Sequence, residues 1–251
     1  MKNSASFKSD LTKFGIGVFE TIKICRGNAI FLDKHLDRMY NSIKELNISF
    51  AVSKDILKKE IINYINDIEY KALRVTAFDE GYNFSLRDIP YIDEDYERGY
   101  NLKISPIRRG KSLIYKHKTS NYFENIYSKK YALNKGYDEA LFVNLDNKVL
   151  EGSMTNIFFI KGEKVYTPRC DLYILSGIMR NEVICILNKL GITVLEKEID
   201  LGEIDKFEFC FITNSLIDLM KVNSIEYINY KKENELFNLI DLQLKEMYNG
   251  Y

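Results

Sequence analysis

The stretch EALFVNLDNKVLEGSMTNIFFI, Glu139–Ile160, decides the fold class. Two apolar runs flank the turn pair Asp146-Asn147, so Glu139–Gly152 reads as a β-hairpin, and TNIFFI follows directly as a further strand. One residue in it is out of place for a core. Glu151 is a carboxylate followed by Gly-Ser between two apolar strands. Either it stands in water at the hairpin end, or it is half-buried and needs a cationic or N–H partner.

Outward from this hairpin, strands keep recurring. Toward the N-terminus, GVFETIKI (17–24) alternates, and the turn RGN leads into AIFL, a second hairpin. Leu36, Met39, Tyr40, Ile43 and Leu46 then recur at helical spacing. Ser53 or Asp55 can cap a second helix that carries Ile56, Leu57, Ile61, Ile62, Ile65 and Ile68. ALRVTAF (72–78) and NLKISPI (101–107) add strands, separated by the acidic segment DIPYIDEDYE, expected on the surface. Toward the C-terminus come a helix from about Thr119 to Gly136, the strand KVYTP, and a helix from Gly177 to Leu190 closed by Gly191. ITVLEKEI, FEFCFITN and a final amphipathic helix complete the chain. Strands outnumber helices and hairpins dominate, so the fold class is mixed α+β. The cationic stretch RRGKSLIYK marks the domain boundary. The expected division is 1–107, a linker at 108–117, and 118–251.

A chain of 251 residues that is 46% hydrophobic and 29% charged can bury a full core. Lys plus Arg and Asp plus Glu are both 36, which gives no reason to expect nucleic acid or a membrane as partner. Cys25, Cys170, Cys185 and Cys210 form no CxxC pair and are expected as buried thiols. His35 and His117 have no metal-spaced partner, so no metal is expected. The N-terminus lacks an apolar core of signal-peptide length and no run approaches about 20 apolar residues, so a cytoplasmic location is expected.

Five further stretches are candidates for chemistry. GKS at 110–112 fails as a P-loop because Ser105 stands where a glycine is needed. Ser176-Gly177 opens an apolar helix with no carboxylate until Glu182, which suits either a phosphate seat or a plain serine cap. Arg38 in HLDRM suits either an anion contact or a solvated helix surface, and the polar TNS at 213–215, just after FEFCFI, is a further candidate anion contact. YKHKTSNY (115–122) sets Lys116, His117 and Lys118 just ahead of a small polar tripeptide and a tyrosine.

Taken in order, GIGVFETIKI, HLDRM, HKTSNY, YDEALFVNLDNKVLEGSMTNIFFI, VYTPRCDLYILSGIMR and TNSLIDLMKV resemble the fold-type IV family of pyridoxal-phosphate enzymes. This is the class IV aminotransferase family, with branched-chain and D-amino acid aminotransferases and aminodeoxychorismate lyases. The matching stretches run from Gly15 to Val222. The resemblance implies a two-domain, D-amino acid aminotransferase-like α+β fold, pyridoxal 5'-phosphate in the interdomain cleft, a small amino substrate and a homodimer. Position by position, Lys118 resembles the lysine that condenses with the cofactor aldehyde. Glu151 matches the carboxylate that keeps the pyridine nitrogen protonated. Arg38, the Gly177 and Ile178 backbone N–H groups and Ser215 match the phosphate cradle. Tyr122 falls near the residue that bonds the ring oxygen, and Asn156 and Asn214 are implied as further cofactor contacts.

For the reaction, Thr21 in FET resembles the lyase pattern, where branched-chain enzymes typically carry Gly, and its hydroxyl is implied in proton handling. TPRCDLYILSGIMR and the short chain also resemble the lyases. The Arg and His expected of a D-amino acid aminotransferase are absent from AFDEGYNFS, which leaves Arg74 and Arg87 as candidate carboxylate partners by location. The resemblance thus implies an aminodeoxychorismate lyase releasing pyruvate and 4-aminobenzoate. An amino acid aminotransferase using 2-oxoglutarate stays open as an alternative. A catalytically silent cofactor-binding protein is a third reading, opposed by the presence of both Lys118 and Glu151.

Overall fold

The computed structural model describes residues 1–248 and divides into two units. The first comprises residues 1–90 with 117–122 and Tyr248. In it, α1 (Asp10–Phe14) precedes β1 (Val18–Cys25), β2 (Asn28–Ala29), α2 (Leu32–Glu45), α3 (Lys54–Ile65), β3 (Tyr70–Phe78) and β4 (Gly81–Arg87). The strands form an antiparallel sheet in the order β2-β1-β3-β4. Strand alternation sorts β1 into two faces. Val18, Ile22 and Ile24 pack with Leu36 and Met39 of α2 and Leu57 and Ile61 of α3. Each fully buried side chain of this size stabilises the unit by about 1.5–3 kcal/mol. Ser53 starts α3, its side chain accepting a hydrogen bond from the Ile56 N–H.

The edge of β1 explains why 117–122 belongs here. β2 covers only Ile24 and Cys25. Further along the same strand, the Phe19 N–H donates to the Lys118 carbonyl at 2.9 Å and the Ser120 N–H donates to the Gly17 carbonyl at 2.8 Å. Lys118–Ser120 is thus laid antiparallel along β1, with Val18 opposite Thr119. The helix expected from Thr119 therefore starts later, as α5 (Phe123–Asn134), because the residues before it are spent in extended pairing.

The second unit comprises residues 91–116 and 123–247. Its elements are α4 (Asp93–Arg98), β5 (Tyr100–Arg109), α5, β6 (Glu139–Asn144), β7 (Val149–Gly152), β8 (Asn156–Lys161), β9 (Lys164–Pro168), α6 (Ile178–Lys189), β10 (Thr193–Lys197), β11 (Phe209–Asn214), β12 (Asp218–Ile225), β13 (Ile228–Asn229) and α7 (Glu235–Tyr248). One sheet runs β10-β9-β8-β11-β12-β5-β6-β7, with β13 beside β12. The hairpin turns at Asp146-Asn147 as read, with Asn147 in the left-handed region at φ 57°. The sheet curls into a half-barrel. Its two ends approach each other, since the Val149 N–H at the start of β7 donates to the Ile199 carbonyl, just past β10, at 2.8 Å. Tyr100, Leu102, Ile157, Phe159, Ile212 and Met220 belong to the core inside the curl.

The observed division differs from the expected 1–107, 108–117 and 118–251. β5 continues through Arg108 and Arg109, which pair with Val143 and Asn144 of β6, and its other edge pairs with β12. Both pairings are parallel and join residues far apart in sequence, so no local pattern announces them. The acidic segment contains α4, and the Tyr96 hydroxyl donates to the Ile217 carbonyl at 3.1 Å. The thiols also differ from expectation: Cys210 is buried, Cys25 and Cys170 are half-buried, and Cys185 is exposed on the outward face of α6. Among the described residues no helix is long and apolar enough to cross a membrane.

Candidate active site

In the first unit, β1 presents chemistry on both faces. On the face away from the helices, Phe19 and Tyr122 meet edge to face at 5.1 Å. The Lys118 amine lies over both rings, 4.5 Å from the Phe19 centroid and 5.0 Å from that of Tyr122. Thr21 follows Phe19 on this face by alternation, and its cross-strand partner is Arg74. The Arg74 guanidinium lies 3.5 Å from the Phe19 centroid and donates to the Thr76 hydroxyl at 3.4 Å. No carboxylate pairs with it among the described residues. Burial lowers its pKa below the ordinary arginine value, and Arg87 adds to this while Tyr122 opposes it. Lys118, Tyr122, Thr21 and Arg74 therefore share one unit. Arg87 ends β4.

On the helix face, Glu20 sits in the buried row of β1. Its carboxylate receives Arg38 Nε at 2.8 Å and Arg38 Nη2 at 2.6 Å, with His35 Nδ1 at 2.7 Å. Burial pushes the Glu20 pKa up, but Arg38 and His35 outweigh it and hold it down to about 2. Burial likewise lowers the His35 pKa, against the pull of Glu20, while Arg38 and Lys118 lower it further. The ring is therefore neutral near pH 7, its Nδ1–H donates to Glu20, and Nε2 has no hydrogen-bond partner among the described residues. Arg38 is thus an oriented cation whose fork is fixed by one acid. A lone carboxylate in an alternating strand reads as polar-facing, yet Glu20 is buried. Its parity with Val18, Ile22 and Ile24 was the signal that it is buried.

In the second unit, Glu151 is buried and held at both oxygens. Oε1 accepts from Arg109 Nη1 at 2.8 Å, and Oε2 accepts from the Leu175 N–H at 3.1 Å and Asn156 Nδ2 at 3.3 Å. The half-buried alternative, with cationic and N–H partners, is the one found. Asn156 also donates to the Leu175 carbonyl at 2.9 Å, so it orients the glutamate and the loop before α6 together. The linker expected at 108–117 includes Arg109, which instead closes β5. With Lys103 and Arg108 in the same strand, one more arginine gives no local hint.

α6 starts at Gly177, whose backbone is the N-cap, with no side-chain cap and no acidic residue in the first turn. Ser176 bonds Asn181 instead of capping the helix. A Cβ on Gly177 would come within 1.9 Å of Asn156 Oδ1, so the start of this helix is open only because the residue is glycine. Nearby in the sequence of β11, Asn214 Oδ1 accepts from the Leu216 and Ile217 N–H groups at 2.8 and 2.9 Å and so shapes the turn that carries half-buried Ser215. The Thr155 and Thr213 hydroxyls are buried with no hydrogen-bond partner among the described residues. Open helix N–H groups, orphaned hydroxyls and no acid at the helix start suit a phosphate group. No cluster of three or more His, Cys, Asp or Glu among the described residues can hold a metal ion.

A family model described as amino-transferase class IV matches residues 17–225. The chain belongs to the class IV aminotransferase family. Family members use pyridoxal phosphate, and the donors at α6 and β11 fit that cofactor's phosphate. The chain is 30% identical over 230 residues to a probable branched-chain-amino-acid aminotransferase of Rickettsia felis, covering 85% of this chain and 79% of that one. It is 29% identical over 234 residues to an aminodeoxychorismate lyase of Bacillus subtilis, covering 86% and 80%. A solved structure of a putative 4-amino-4-deoxychorismate lyase from Legionella pneumophila superposes with a TM-score of 0.90 at 25% identity, covering 98% of this chain and 96% of that one. This class IV aminotransferase-family protein is therefore a pyridoxal-phosphate-dependent enzyme, a transaminase or a lyase.

Proposed function

We propose that the enzyme is a 4-amino-4-deoxychorismate lyase, eliminating pyruvate to leave 4-aminobenzoate. The observation that carries this reading is the surface shared by Thr21, Arg74 and the Lys118 amine in the first unit. Pyridoxal phosphate, when bound, supplies an aldehyde for amines and an electron-poor ring that accepts negative charge from a substrate carbon. Lys118 is assigned the aldehyde, and its Nζ then takes up and returns the proton of the substrate carbon. Glu151 is assigned the ring nitrogen, where a carboxylate favours the protonated form. Arg38, the Gly177 and Ile178 N–H groups and Ser215 are assigned the phosphate. Tyr122 supports the ring's oxygen, and Asn156 and Asn214 act by holding Glu151 and the Ser215 turn.

Arg74 is assigned the substrate carboxylate, since a half-buried guanidinium without an acid partner among the described residues suits an anionic ligand. Thr21, in register with it, places a hydroxyl where a leaving group or proton needs a donor. A second reading, an amino acid aminotransferase, is favoured by the Rickettsia felis relative. Purified enzyme incubated with aminodeoxychorismate, and separately with a branched-chain amino acid plus 2-oxoglutarate, separates the two. Pyruvate and 4-aminobenzoate form in the first mixture if the lyase reading holds, and turnover in the second mixture alone removes it. The active assembly is proposed to be a homodimer, which exposed Phe123, Ile126 and Tyr127 on α5 support and sedimentation equilibrium tests.

A further inference from the structure

The Arg109 guanidinium is 2% exposed and is fixed in its plane and on its faces. Besides its 2.8 Å bond from Nη1 to Glu151, Nε donates to Glu124 at 2.6 Å and Nη2 to the Asn125 side chain at 3.2 Å. Phe142 lies 3.5 Å from its carbon centre and Tyr115 lies 4.5 Å from it. Burying a charge this fully is costly unless it is paired, and here two carboxylates share one cation. The cluster joins the end of β5, the first turn of α5 and the end of β7. Asn125 extends it to the Ser153 carbonyl at 2.8 Å.

We propose that Arg109 is a positioning residue that acts through Glu151 to keep the proton on the cofactor's ring nitrogen. The inference rests on the reading of Glu151 as that nitrogen's partner. A carboxylate and a pyridine nitrogen are bases of similar strength, so a proton between them can reside on either. A guanidinium that touches the carboxylate weakens it as a base more than it weakens a nitrogen that touches the carboxylate instead. The proton then stays on nitrogen, and the ring keeps its capacity to accept electrons. The second glutamate, Glu124, is 27% exposed and draws on the same cation, so the cluster has a built-in competitor.

The test is nitrogen NMR of the holoenzyme reconstituted with ring-15N cofactor. Wild type and Arg109→Lys should show the protonated nitrogen, since lysine keeps the charge. Arg109→Gln keeps a planar donor without charge, and its signal should move toward that of the unprotonated base. Turnover should fall roughly tenfold or more while cofactor affinity stays within about threefold of wild type. Should Arg109→Gln leave Glu151 too poorly compensated to fold, the charge-balanced double variant Arg109→Gln/Glu124→Gln is read the same way. Glu151→Gln is the control. If the glutamine variants at 109 keep the wild-type signal while Glu151→Gln loses it, the inference is overturned and the reading of Glu151 stands. If Glu151→Gln also keeps the wild-type signal, the reading of Glu151 itself falls, and this inference with it.

Discussion

At Lys118, a single amine between two aromatic faces carries the covalent chemistry assigned to the chain. Lys118→Ala should lower turnover by about 10²–10⁴-fold, the usual worth of a positioned proton-transfer group, and should let the cofactor be removed by gel filtration. Rapid-mixing assays and the visible spectrum of the filtered protein check both. Arg74→Met should raise KM about 10- to 100-fold, equivalent to losing one charged hydrogen bond of about 1.5–3 kcal/mol, with kcat affected less. Arg74→Lys should recover only part of the loss, because an ammonium cannot reproduce the fork that rests on Phe19. Steady-state kinetics on the accepted substrate decides the matter. The paired burial of Glu151 and the open start of α6 were legible in the sequence because each breaks a local rule: a charge between apolar strands, a helix with no acid at its head. Arg109 was not, since its Glu151 partner lies 42 residues away. Glu20 shows only its parity with Val18, Ile22 and Ile24, because its Arg38 partner lies 18 residues away.

Between elements, Glu20 ties β1 to α2, and its titration sets how acid loosens the first unit. Its folded pKa of about 2 lies below the ordinary 4.5, so its contribution is fully present above about pH 4.5 and is lost as pH falls toward 2. The shift corresponds to about 3 kcal/mol. His35 works in the same sense, since its lowered pKa means that protonation below about 6.5 favours the unfolded chain. Glu20→Gln should therefore cost about 3 kcal/mol at pH 7 and flatten the decline between pH 4.5 and 2. Urea midpoints at several pH values read this directly. At the head of α6, Gly177→Ala would drive its Cβ to 1.9 Å from Asn156 Oδ1. The displaced amide would also lose its bonds to Leu175 and Glu151, so the variant should lose about 1–3 kcal/mol and melt several degrees lower by calorimetry.

For the whole molecule, the two units are interleaved in sequence, and a cut placed by local pattern misjudges them. A fragment ending at Ile107 carries most of β5 without β6 or β12, leaving Leu102 and Ile104 unpartnered. It should be less soluble on expression than a fragment ending at Pro90, and comparing soluble yields checks this. Hairpins and amphipathic helices were readable because alternation and helical spacing are local. The parallel places of β5 and the extended path of Lys118–Ser120 were not, since both are set by edges supplied from elsewhere in the chain. The visit of residues 117–122 to the first unit also has a consequence for synthesis. As the nascent polypeptide leaves the ribosome, the first ninety residues emerge with the margin beside Val18 uncovered, and its covering strip is translated only later. At about 5–20 residues per second, that delay lasts a few seconds. During it, Lys118 has no seat beside Phe19, and that margin of the sheet stays open until translation has passed Tyr122.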